Sequence, residues 1–138
     1  MTQPQEADFF RVPLLNGQVS FGQVIAPPKD DMLAALSCRI AAPDQTPRPF
    51  VPIDIVAFVR IKPGHIIDGT WTIAGFDMIP RFGMFFDIAH HAPDLPPHDP
   101  VIIEAFCNAW HGLYPWDAFG DLFDQIAANG VNKTRVPV

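Results

Sequence analysis

The chain has 138 residues, of which 49% are hydrophobic and 17% are charged, with a formal net charge of −6. This length and composition exclude a disordered chain and predict one domain over residues 1–138, with some apolar surface left for a partner or a second copy. The acidic balance argues against nucleic acid as the main partner, because phosphate-backbone binding needs clustered positive charge.

The first predicted element is a β-hairpin. Two apolar runs, Asp8 to Leu15 and Val19 to Ile25, are separated by Asn16-Gly17. This pair favours a tight type I′ turn, in which both central residues have positive φ. Gly22 interrupts the second run and indicates a bulge or a close approach of another group.

Three further runs are predicted to be strands. Asp54 to Ile61 is rich in β-branched residues, and Thr70 to Phe76 has the same character. Met32 to Ile40 matches helical spacing as well as a buried strand, and we favour the strand. Proline clusters separate these runs, as expected for short strands joined by stiff loops.

The periodicity becomes helical after Pro100. Asp99 can cap a helix that begins at Pro100 and ends at Gly112, and a second helix is predicted from about residue 117 or 121 to Ala128. The expected fold is α+β, with a mostly antiparallel, curled and barrel-like sheet and two C-terminal helices.

A histidine-rich stretch precedes the first of these helices. Its imidazoles and carboxylates are potential zinc ligands, but neighbouring residues on a strand point to opposite faces and prolines break up the remainder. We therefore favour a solvated loop, with an acidic partner-contacting loop as the next interpretation, and expect no metal or other cofactor. The residues are His90, His91, His98, Asp87, Asp94 and Asp99.

Two sets of polar residues are candidate catalytic groups. Glu104, Asn108 and His111 share one helix face and could supply acid–base chemistry, but an amphipathic helix needs a polar face in any case. A ribonuclease-type site would need Arg60, His65 and Glu104 to converge around a basic cleft. The acidic net charge argues against this arrangement, so we expect no enzyme.

The tryptophans and acidic residues near the C-terminus suggest a binding surface. Trp71 and Trp110 are expected in the core. For Trp116, packing in the core and contact with a partner are equally favoured interpretations. Aspartates beside exposed aromatics suit a basic protein partner, although such charges most often form a solvated face. The candidate partner-binding residues are Trp116, Asp117, Asp121, Asp124 and Asp94.

The two cysteines and the N-terminus indicate a cytoplasmic setting. Cys38 and Cys107 lie outside CxxC and CxxH spacing, so reduced buried thiols are favoured over a disulfide. The first ten residues contain neither a basic n-region nor an apolar h-region, and no run of about twenty apolar residues exists. We expect no membrane partner.

Three segments resemble the Imm26-like immunity proteins of bacterial polymorphic toxin systems. The opening ADFFRVPLLNGQVSFGQVI is similar to the first hairpin of that family, GTWTIAGFDMIP to its tryptophan strand, and RFGMFFDIAH to an aromatic segment that follows. The proline-rich insert before Val51 departs from the family pattern, as does Phe21, where tyrosine is more usual.

The resemblance implies a protein that binds and neutralises a cognate toxin by direct complex formation and catalyses no reaction. The positions that carry the family pattern are Gly22, Gln23, Trp71 and Gly75, and their implied role is structural. An SH3-like β-barrel domain that binds a small ligand or a peptide remains the alternative, since similar hairpins open such barrels.

Overall fold

The computed structural model describes residues 3–80 and 95–133. The predicted hairpin forms from strands β1 (Asp8–Pro13) and β2 (Val19–Ala26). Its turn differs from the expected type I′, because Gly17 has a φ of 86° whereas Asn16 does not adopt positive φ. The Gly17 amide donates to the Leu14 carbonyl at 3.1 Å, which closes a three-residue loop with glycine in the left-handed position.

Four more strands complete a six-stranded sheet in the order β5-β1-β2-β3-β4-β6. They are β3 (Met32–Ala41), β4 (Ile55–Ile61), β5 (Ile73–Phe76) and β6 (Pro97–His98). The run from Met32 to Ile40, which also matched helical spacing, is therefore part of a strand, as predicted. All neighbouring pairs are antiparallel except β4 and β6, which are parallel.

The sheet is open, with β5 and β6 at its two edges. The expected α+β class is confirmed, whereas the described strands do not close into a barrel. Closure would require β5 and β6 to pair with each other, and β6 has only two residues.

The helices flank β4 and follow β6. A 3₁₀ turn (Pro52–Asp54) and a short helix α1 (Gly64–Ile67) lie on either side of β4. The two C-terminal helices are α2 (Pro100–Trp110) and α3 (Leu122–Ala127). In the described part of the chain, every helix falls short of the length and apolar character that a membrane span requires.

The ends of α2 match the predicted capping residues. The Asp99 carboxylate accepts a hydrogen bond from the Val101 amide at 3.1 Å, and Gly112 adopts a φ of 75° just beyond the helix. Proline at the first helical position costs no hydrogen bond there, since the first amides of a helix have no partner within it.

Both faces of the sheet are buried. The helices cover one face through a cluster that includes Phe10, Phe106 and Phe123. The opposite face carries a second cluster, in which the Phe9 ring meets Phe50 from the proline-rich loop at a centroid distance of 5.1 Å. The loop thus contributes to the core of this face.

Candidate functional site

Gly22 allows an aromatic ring to cross its backbone. A Cβ atom at this position would lie 2.3 Å from Cζ of Phe10. The Phe10 ring in turn stacks on Trp71, with centroids 5.5 Å apart and planes within 3°. The β2–β3 register also shifts beside Gly22, so both of the expected features, a bulge and a close approach, occur here.

Gln23 and Gly75, two further positions of the family pattern, lie in or close to the edge strand β5. The Gln23 side-chain amide donates to the carbonyls of Ala7 and Asp77, at 3.2 and 2.9 Å. Gly75 adopts a φ of 112°, which side-chain-bearing residues rarely take. Gln23 thus bonds backbone carbonyls next to β1 and β5, and Gly75 lies within β5, where the β1–β5 register shifts.

The polar face of α2 is used to dock the helix. Glu104 accepts the indole N–H of Trp71 at 3.1 Å. The Asn108 amide accepts from the Leu15 N–H at 2.7 Å and donates to the Pro13 carbonyl at 3.2 Å, which ties the helix to the hairpin turn. These bonds favour the structural interpretation of the α2 polar face over a catalytic one.

His111, the last residue of this polar face, differs from Glu104 and Asn108 in its hydrogen bonding. Its Nε2 atom is buried and has no hydrogen-bond partner among the described residues. Burial lowers the pKa of its imidazole below the ordinary value of 6.5, because the charged form loses hydration.

The ribonuclease-type set does not assemble. His65 lies beside Trp71, with ring centroids 5.5 Å apart, and Glu104 hydrogen-bonds the same tryptophan. Arg60 instead pairs with Asp31 at 3.0 Å and donates to the Leu95 carbonyl at 2.9 Å. Leu95 packs on the sheet face opposite α2, so the guanidinium is separated from the other two groups by the sheet.

The histidine-rich stretch is described only in part. His90, His91, Asp87 and Asp94 lie outside the described residues. His98 is half-buried in β6, and this burial lowers the pKa of its imidazole. Within residues 3–80 and 95–133, no three His, Cys, Asp or Glu side chains are arranged to hold a metal ion.

Both cysteines are free thiols. Cys107 is fully buried, and burial raises the pKa of its thiol to about 12. Cys38 is half-buried and its pKa is also raised, chiefly by burial. Both groups therefore stay protonated and poorly nucleophilic at neutral pH.

Two arginine side chains hold the proline-rich loop in place. Arg39 forms an ion pair with Asp54 and donates to the carbonyls of Arg48 and Pro49, at 2.9 and 3.1 Å. Arg11 donates to the Gln45 carbonyl at 3.3 Å. The guanidinium groups of Arg39 and Arg11 therefore hold the loop against the sheet.

The acidic and aromatic residues around α3 form the candidate site, which we call the acidic aromatic face. Trp116 packs at centroid distances of 5.7 Å from Phe106 and 5.6 Å from Phe123. Its indole N–H donates to the Asp124 carboxylate at 2.8 Å. The tryptophan is partly buried and packs against the core cluster. The face consists of Tyr114, Trp116, Asp117, Phe119, Asp121 and Asp124.

Sequence analysis missed Tyr114 and Phe119 on this face, and Phe119 is the more exposed of the two. It is 43% exposed, stacks on Tyr114 with centroids 6.4 Å apart, and meets Phe123 at 5.6 Å. Its position in the sequence was a signal of this exposure. Phe119 stands between two aspartates and next to Gly120, in a segment where a buried helix face is not expected. Asp117 and Asp121 are exposed on either side of it.

A small cavity of about 140 Å³ opens beside this face, between β4, β6 and α3. Apolar side chains form most of its wall, and polar groups of His98, Gln125 and Asn129 complete it. Sequence patterns could not predict this cavity, because it depends on where three distant segments meet. Its remaining lining residues are Phe58, Val59, Leu95, Pro96, Leu122 and Ile126.

Comparison of the chain with protein-family models, curated proteins and solved structures finds no match to any of them.

Proposed function

We propose that this chain is a cytoplasmic immunity protein that binds and neutralises a cognate bacterial toxin by direct complex formation, without catalysing a reaction. The observation that carries the proposal is the acidic aromatic face. The sequence resemblance to immunity proteins supports a toxin as the partner.

The chemistry of the face fits a basic protein. Exposed aromatic side chains supply contact area with little conformational entropy to lose, and carboxylates beside them attract positive charge. Asp117, Asp121 and Asp124 lie within eight residues of sequence around Phe119. The net charge of −6 would add to the attraction at long range.

The face is held in place before any partner arrives. Trp116 is fixed by ring contacts and by its hydrogen bond to Asp124. A surface that is already ordered pays less entropy on association, which favours the tight binding that neutralisation of a toxin demands.

A second candidate is a domain that binds a small ligand or a peptide, and the observation that favours it is the cavity beside α3. A volume of about 140 Å³ is close to that of an engineered cavity that holds benzene. It therefore accepts one small apolar group at most.

The test is rescue of cells that express the toxin domain encoded beside this gene. We expect the chain to restore growth. We also expect the triple variant Asp117→Asn, Asp121→Asn, Asp124→Asn to associate with that domain about tenfold more slowly at low ionic strength. Asparagine keeps an acceptor for the Trp116 indole, so the core should remain intact.

A charge-matched control separates a local effect from a global one. The triple variant Glu6→Gln, Asp30→Asn, Asp44→Asn removes the same number of exposed carboxylates elsewhere on the molecule. It should associate nearly as fast as the unmodified chain. Equal slowing of both variants, or failure to rescue from every adjacent toxin domain, would contradict the proposal.

A further inference from the structure

We propose that the Asn16-Gly17 turn of the first hairpin is a site of spontaneous deamidation, whereas Asn129-Gly130, the second Asn-Gly pair of the chain, is protected by the fold. Glycine after asparagine favours this modification, because it has no side chain to hinder attack by its own backbone nitrogen. Water is the co-reactant. The modification does not depend on the toxin-binding proposal.

The reaction passes through a five-membered imide ring. The backbone nitrogen of Gly17 loses its proton and forms a bond to Cγ of Asn16, the Cγ–Nδ2 bond breaks, and the departing nitrogen takes up a proton and leaves as ammonia. Water then opens the ring at one of its two carbonyls, which yields either aspartate or isoaspartate. The net change exchanges one ammonia for one water, with no oxidation or reduction.

The side chain of Asn16 is folded back along the residues that it must attack through. Its Oδ1 atom accepts the Gln18 amide at 3.0 Å, which forms an Asx turn over the Gly17 peptide. The same hydrogen bond polarises the Cγ carbonyl and stabilises the negative charge that its oxygen gains on attack, as an oxyanion-hole donor does. The loop therefore orients and activates the electrophilic carbon for the Gly17 nitrogen.

The turn also has room to reach the ring geometry. Asn16 and Gly17 are exposed, and a Cβ atom at Gly17 meets nothing within 4 Å among the described residues. The hydrogen bond from the Gly17 amide to the Leu14 carbonyl, at 3.1 Å, has to open before the nitrogen can attack. We therefore expect the folded chain to react at this turn, more slowly than the unfolded chain does.

The surroundings of Asn129-Gly130 oppose the same reaction. The Asn129 side chain is bonded to the Phe58 amide and carbonyl, both at 2.9 Å. A Cβ atom at Gly130 would overlap the carbonyl oxygen of Val56, so this peptide is pressed against β4. Ring closure would have to withdraw the side chain from Phe58 and move the peptide away from Val56.

The test is peptide mapping of the full chain by mass spectrometry after storage at neutral and at mildly alkaline pH. In the folded chain we expect Asn16 to react at least about tenfold faster than Asn129, whose side-chain hydrogen bonds must first be broken. In urea the two rates should become similar. The rate at Asn16 should rise with pH, because the attacking nitrogen must lose a proton, and isoaspartate should form there beside aspartate.

Equal rates at the two pairs in the folded chain would overturn the inference. Aspartate without isoaspartate at position 16 would also overturn it, because direct hydrolysis of the side chain gives aspartate alone.

Two variants test the location and the role of the Gln18 amide. Asn16→Gln should stop the modification at this turn and lower the release of ammonia, because its longer side chain would have to close a six-membered ring. Gln18→Ala keeps the backbone donor to Oδ1 and should keep the modification. Ammonia release that Asn16→Gln leaves unchanged, or loss of the modification in a folded Gln18→Ala variant, would contradict the assigned chemistry.

Discussion

At the scale of single residues, the packing between the sheet and α2 depends on close contacts around Gly22. The Phe10 ring occupies the space that any side chain at this position would need, and the same ring stacks on Trp71. Trp71 then donates to Glu104 on α2. Gly22 therefore lies at one end of a packed series that runs from the sheet to the helix layer.

We predict that Gly22→Ala lowers the free energy of unfolding by about 1–3 kcal/mol, because the added methyl group displaces the Phe10 ring from its stacked position. Urea denaturation measures the change. Gly64→Ala is the control, since a Cβ atom there meets nothing within 4 Å, and it should change stability by about 0.5 kcal/mol or less. Equal effects of the two substitutions would contradict this packing.

His111 gives a prediction about pH. Burial lowers the pKa of its imidazole in the folded protein, so the unfolded chain binds a proton at a higher pH than the folded chain does. Stability should therefore fall as pH decreases below about 6.5, and His98, whose pKa is lowered for the same reason, adds to this loss.

Denaturation of His111→Leu across this pH range measures the contribution of His111. The variant should lose part of the acid sensitivity and retain the part that belongs to His98. An unchanged dependence of unfolding free energy on pH would show that His111 is not desolvated in the folded state.

At the scale of elements, the local signals in the sequence were sufficient for most strands and helices. The hairpin and the caps of α2 depend on neighbouring residues, and both were predicted. The two-residue strand β6 was not, because its pairing with Arg60 and Ile61 is visible only once β4 is in place. The turn type was wrong since Asn16 keeps a negative φ and its side chain accepts the Gln18 amide at 3.0 Å.

The attachment of α3 to β4 likewise escapes sequence reasoning. The sequence predicted only that this helix ends at Ala128, yet the side chain of the next residue, Asn129, bonds both backbone groups of Phe58. The amides of Val131 and Asn132 then donate to the Ile55 carbonyl, at 2.9 and 2.8 Å. These hydrogen bonds pair backbone groups along the part of the β4 edge that β6 does not cover.

We predict that Asn129→Ala costs about 1–3 kcal/mol of unfolding free energy, because it removes two hydrogen bonds to the Phe58 backbone. Thermal or urea denaturation measures the loss. Gln125→Ala, at an exposed position of the same helix, should change stability by about 0.5 kcal/mol or less. If the two variants are equally stable, the side chain of Asn129 does not anchor α3.

At the scale of the whole molecule, the sheet separates two differently used sides. One side packs against α1, α2 and α3, and the other is partly covered by the proline-rich loop through Phe50. The acidic aromatic face lies on the helical side, in the part of the chain that follows α2. Sequence analysis identified its tryptophan and aspartates from composition, but the cavity beside it requires the assembled fold.

Calorimetric titration of the purified chain with the purified toxin domain from the neighbouring gene tests the central claim most directly. The account predicts saturable binding of fixed stoichiometry that abolishes toxin activity, is weakened by added salt and leaves both proteins chemically unchanged. Absence of binding, or chemical modification of the toxin by catalytic amounts of the chain, would contradict it.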